Sequence, residues 1–280
     1  MAWAAAVILF WAWTLPFTEP TDPVICTFSQ DCVLPCSFTP TGDENCNMQD
    51  SGAYQCYTST KQGNTNNIVN MEVHAPIQSV NIKKIGNEVK CLSQDIYPRP
   101  NVSWTTEPST QSDTLKDKNP IRENNSSELY SVESKVRMLG NVSDYTYICS
   151  VTSADGKQKW TTSLRHQELH GGNMLIPCLA PGAFKPHNFT LKWTIARENN
   201  SEVILTFDSV TRQILNHWKD QARVDPDQVL KGNGSLWFHN LENSAEAGTY
   251  ICEFSAFRNQ HLVYTDITLA PQPHRDNQGF

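Results

Sequence analysis

Three stretches of the chain alternate apolar and polar residues around a cysteine: VLPCSF at Cys36, EVKCLS at Cys91 and LIPCLA at Cys178. A period of two puts Leu34, Cys36 and Phe38 on one face of a strand, and likewise Met174, Ile176 and Cys178, so each cysteine points inward. Trp104 in NVSW and Trp193 in LKW stand 13 and 15 positions beyond the second and third of these cysteines. Farther on come DSGAYQC, DYTYIC and EAGTYIC, in which Tyr54, Tyr147 and Tyr250 precede Cys56, Cys149 and Cys252 by two positions. Short alternating strands carrying the same stations in the same order predict an all-β chain of tandem two-sheet sandwiches. In such a sandwich Trp104, Trp193, Tyr54, Tyr147 and Tyr250 are core residues, each Tyr closing a corner with its hydroxyl returned to backbone.

The first repeat is short. Cys91 and Cys149 are 58 positions apart and Cys178 and Cys252 are 74 apart, but Cys56 follows Cys36 by only 20. A sheet without its inner strands exposes an apolar face and unpaired edges, so this unit is expected to be marginal or dependent on disulfides. Pro, Gly and polar residues interrupt the strand pattern at VHAP (73–76) and RHQELHGG (165–172). The expected order is a truncated unit over 21–75, a complete sandwich over 76–164, a longer one over 165–271, and a disordered tail over 272–280.

The run from Ala2 to Leu15 holds no charged side chain. It is too short for a comfortable membrane span and fits the apolar region of a signal peptide, so residues 1–20 are set outside the fold. Seven N-x-S/T sequons follow, at Asn101, Asn124, Asn125, Asn141, Asn188, Asn199 and Asn233. An apolar leader, sequons and nine cysteines together imply the secretory pathway and oxidised thiols. No second long apolar stretch follows, so the expectation is a secreted chain. The formal charge of −7 comes without a basic stripe, which argues against nucleic acid as a partner.

The repeated Cys, Trp and Tyr-x-Cys stations resemble those of the immunoglobulin superfamily over nearly the whole chain after the leader. The resemblance implies that Cys36 pairs with Cys56, Cys91 with Cys149 and Cys178 with Cys252. IYPRPNVSW and LYSVESKV are similar to inner strands of a constant-type domain, and GSLWFHNLENSAEAGTYIC to one corner of a variable-type domain. At that corner the family places an ion pair, here matched by Arg223 and Glu246. Cys26 and Cys32 are close enough to staple one strand to the next. Cys46 is then the odd one of five, left as a thiol, in an intermolecular bridge or in an exchanged pairing. A metal site lacks a matched ligand set in this spacing.

The order variable, constant, variable, with VLPCSF, DIYPRPNVSW and NVSDYTYICSV, is similar to the B-seven and butyrophilin family of immune ligands. That implies a cell-surface ligand that binds receptors on T and natural killer cells and tunes their activation, anchored by a membrane helix. This chain departs from the pattern in its short outer unit and its missing anchor. The alternatives are a soluble decoy or adhesion molecule, or a non-functional splice or gene-model product.

No catalytic pattern is present. His170, His187, His217, His239 and His261 fall on predicted loops or outward strand positions, without the spacing of metal ligands, and there is no nucleophile elbow or phosphate-cradling loop. The expectation is a binding protein without cofactor, metal or small-molecule substrate. Phe257, Arg258, Asn259, Gln260 and His261 lie where a variable-type domain makes its third recognition loop, and are the candidate receptor contacts.

Overall fold

The computed structural model describes residues 23–30, 32, 34, 46–61, 63–110, 115, 120–124, 128–140, 143–169, 172–181, 188–197, 200–219, 221–241 and 247–269. The chain divides into two compact units, 1–73 and 74–280. The pair Cys36 with Cys56 and the ion pair Arg223 with Glu246 lie outside the described residues.

In the first unit, strands β1 (Val24–Thr27), β2 (Gly52–Thr60) and β3 (Gly63–His74) form a sheet in the order β1-β3-β2. Alternation along β3 buries Val69, Met71 and Val73, while Ile68 stays 62% exposed. A disulfide joins Cys26 to Cys32. Beside it Cys46 is buried, its carbonyl accepting from the Ser29 N–H at 2.9 Å and its own N–H donating to Gln30 at 3.1 Å. Tyr54 corrects the expected core: its hydroxyl does return to backbone, donating to the Asp50 carbonyl at 2.6 Å, but the residue is 36% exposed. It sits on β2, an edge of this sheet among the described residues.

The second unit opens with the four-stranded sheet β4-β5-β8-β7: β4 (Asn81–Ile85), β5 (Glu88–Ile96), β7 (Ile121–Glu123) and β8 (Tyr130–Arg137). Facing it are β6 (Asn101–Glu107), β9 (Thr146–Thr152) and the first half of β10 (Lys159–Leu169). The buried layer between them includes Ile82, Val89, Ile96, Val132, Val136, Val151 and Leu164, and the disulfide Cys91–Cys149 crosses it. Four strands against three is the constant-type arrangement.

A second sandwich follows. Its small sheet is β11-β16-β15: β11 (Gly172–Ile176), β15 (Ala222–Arg223) and β16 (Leu236–Leu241). Opposite lie β12 (Thr190–Arg197), β13 (Asn200–Asp208), β14 (Ile214–Asn216), β17 (Gly248–Ala256) and β18 (Asn259–Leu269). The extra hairpin β13–β14 extends the face beyond β12, as in variable-type domains. Met174, Ile176 and Cys178 are all buried, as the period-two pattern requires, and Cys178 bridges to Cys252. A single helical turn, α1 (Pro226–Val229), is started by Asp225, whose side chain accepts from the N–H groups of Asp227 and Gln228.

The two large sheets are one. The strand order runs β14-β13-β12-β17-β18-β10-β9-β6, joined by parallel pairing of β10 with β18 from Lys159↔Asn259 to Leu169↔Leu269. Residues in register share a face of a sheet, so the two strands exchange side chains. On one face, Leu164 of β10 lies in the constant-type core, with Trp160 and Tyr264 packed against it. On the other, Leu169 joins Val263 and Ile267 in the variable-type core. The polar run 165–168 therefore does not end the strand: pairing with β18 carries β10 on to Leu169. No helix among the described residues is long and apolar enough to cross a membrane.

Candidate binding surface

In both sandwiches the tryptophan lies directly across from the second cysteine: Trp104 pairs with Cys149 and Trp193 with Cys252. Trp193 is fully buried and its Nε1 donates to the Gly234 carbonyl at 2.8 Å. Trp104 is half-buried, packed against its core, with Nε1 donating to the Ser134 hydroxyl at 2.8 Å. Tyr147 is 1% exposed, and its hydroxyl accepts from the Leu139 N–H at 2.7 Å. Burial raises its pKa above the usual phenol value. Tyr250 is buried edge-on against Phe238, with ring centroids 5.4 Å apart. These residues pack the two sandwiches.

Of the sequons, Asn101, Asn124 and Asn188 are exposed. Asn233 is half-buried, its Oδ1 accepting from the Ser235 hydroxyl at 2.7 Å. Asn125, Asn141 and Asn199 fall outside the described residues, as do His170 and His187. His217 is exposed and His239 half-buried. The sulfurs of Cys26, Cys32 and Cys46 lie within 4.8 Å of one another, but the first two are already joined, so they offer no pair of thiolates to a metal.

The hairpin between β17 and β18 turns through Phe257 and Arg258. Phe257 is 94% exposed, and the Arg258 guanidinium carbon stands 5.5 Å from its ring centroid. A cation near an aromatic face is attracted to it, and both side chains remain open to a partner. The other three candidates are already engaged. Asn259 Oδ1 accepts from the Lys159 N–H at 3.2 Å, and Gln260 Nε2 donates to Glu253 at 2.6 Å.

His261 corrects the expected loop contact and the outward position: it is 5% exposed and faces the variable-type core side of the sheet. Its Nδ1 lies 2.7 Å from the Thr161 hydroxyl across the β10–β18 pairing, a burial that alternation within β18 alone could not reveal. Burial lowers its pKa to about 4, and a hydrogen bond to the Leu179 backbone acts in the opposite sense. Burial likewise pulls the Arg165 pKa down and pushes that of Tyr264 up.

Strand order, cross-core disulfides and tryptophans opposite cysteines define an all-β protein built from immunoglobulin-like sandwiches. No protein-family model matches the chain, and no curated protein matches it. A solved structure of the extracellular portion of mouse CD200RLa is similar at 21% identity with a TM-score of 0.33. The match covers 43% of this chain and 59% of that one, less than two thirds of its length.

Proposed function

We propose that this chain is a non-catalytic extracellular binding protein of the B-seven and butyrophilin kind, a ligand for a receptor on T or natural killer cells that regulates their activation. The order of a shortened variable-type unit, a constant-type and a variable-type domain resembles that of the HERV-H long-terminal-repeat-associating protein, a ligand of that family. The observation that carries the reading is the hairpin tip, where a 94% exposed Phe257 is stacked under Arg258 at the end of a disulfide-linked sandwich. Exposed aromatic and Arg side chains at a loop tip are of the kinds enriched among the anchors of protein recognition.

The test is staining of activated T and natural killer cells by the full chain secreted from mammalian cells, beside the Phe257→Ala/Arg258→Ala variant. Loss of a central anchor pair is expected to weaken binding on the order of 30-fold. Equal staining by both proteins removes the tip as the contact, and no staining by the folded full chain overturns the receptor reading.

A further inference from the structure

A row of unpaired N–H and C=O groups along a sheet edge invites another strand, and most edges of this protein are blunted against it. β7, β14 and β15 have three, three and two residues, and β1 has four. β4 carries Lys83 and Lys84, β11 pairs with a register shift between Gly172 and Met174, and β6 ends on Glu107. β2 has none of these devices. It is an edge among the described residues, nine residues long, GAYQCYTST, without a charge or a proline. Its register with β3 runs unbroken from Gly52↔Met71 to Thr60↔Gly63.

The strand is open on both faces of its sheet: Gly52, Ala53, Tyr54, Gln55 and Tyr57 are all exposed. Nothing lies within 4 Å of the place a Cβ at Gly52 would take. The two-residue turn after Thr60 makes Thr60↔Gly63 a bonded pair, and alternation from there turns the backbone groups of Ala53, Gln55, Tyr57 and Ser59 away from β3.

We propose that β2 pairs antiparallel with β2 of a second copy of this chain, joining two three-stranded sheets into one of six strands about a twofold axis at Cys56.

Charge favours a second copy in this orientation. Asp50 lies two residues before β2, and the exposed Lys61 follows it directly. Antiparallel self-pairing centred on Cys56 sets position 51 against 61, so Asp50 of each copy comes beside Lys61 of the other, twice by symmetry. Parallel pairing would bring like charges together. The same centre sets 55 against 57 and 53 against 59, the positions whose backbone groups point outward, so the ladder closes without a slip. An axis normal to the sheet also keeps each face continuous. Tyr54, Val69 and Met71 stay on one side, and Tyr57 and Ile68, 61% and 62% exposed, stay on the other. There the Tyr57 rings of the two copies become diagonal neighbours, and the two exposed apolar pairs merge into one strip. A strand-to-strand contact is small, so the association is weak, with a Kd on the order of 10 µM.

The experiment is sedimentation equilibrium of the full chain, secreted from mammalian cells, between about 1 and 100 µM, beside Gln55→Pro and Lys61→Glu. The proline deletes an outward N–H and no bond to β3, and is expected to abolish the dimer. Lys61→Glu, on the exposed turn, reverses both cross-copy contacts and is expected to weaken the dimer about 10-fold at low salt, and less at high salt. Hydrogen–deuterium exchange at the two ends of the concentration range should show the amides of Gln55 and Tyr57 becoming protected as the dimer forms. A chain still monomeric at about 100 µM, a dimer that survives Gln55→Pro, or an association unmoved by Lys61→Glu at low salt overturns the proposal. Protection of these amides already in the monomer overturns it too, because another part of the same chain then covers the edge.

Discussion

The indole N–H of Trp193 is bonded to the carbonyl of Gly234, 41 residues later, at 2.8 Å, which ties the centre of one sheet to the turn that feeds the other. That turn passes close over the core. A Cβ at Gly234 would stand 2.8 Å from Phe254 Cζ and 2.9 Å from Leu191 Cδ1, both fully buried and unable to yield. Gly234→Ala is therefore expected to destabilise the variable-type sandwich by about 1–3 kcal/mol, seen as a lower thermal midpoint with the Asn-x-Ser sequon unchanged.

Ser134 is fully buried and serves the half-buried Trp104. Ser134→Ala leaves an indole donor with no acceptor and should cost about 1–2 kcal/mol in denaturant unfolding. Adding Trp104→Phe removes the orphaned donor as well, so the two losses should fall short of additive; full additivity would mean the bond contributes nothing.

Tyr147→Phe keeps the ring and deletes the hydroxyl that accepts from Leu139 N–H. The expected loss is about 1–2 kcal/mol. Exchange at the Leu139 amide should accelerate more than at Cys149, which lies in the strand interior.

Asp225→Ala removes the side chain that accepts from Asp227 N at 2.9 Å and Gln228 N at 3.3 Å. A cap is worth about 1 kcal/mol, and Asp225→Asn, which retains the acceptor, should recover most of it in the same melting experiment.

What the sequence showed and what it hid divide along a physical line. Trp193 is readable as core, and Trp104 as a half-buried residue packed against one, because their strands pair directly with those of Cys149 and Cys252, a relation fixed inside each sandwich. The disulfides at 91 with 149 and 178 with 252 are those that the family resemblance implies. Tyr54 misled because a corner tyrosine needs a covering neighbour, and β2 is an edge. His261 and the run 165–168 misled for one shared reason. Their partners come from the other sandwich, so Thr161, Ser163 and His261 are buried by a contact about a hundred residues away that no local periodicity encodes.

Two separate sheets would present four raw edges to solvent; fused through β10 and β18 they present two, β14 and β6. The first is three residues long, and the second begins at Asn101, a sequon on an exposed side chain. An unpaired strand is a template for adding another chain, and short edges are poor templates. The fusion thus withdraws β10 and β18, eleven residues each, from exposure as open edges.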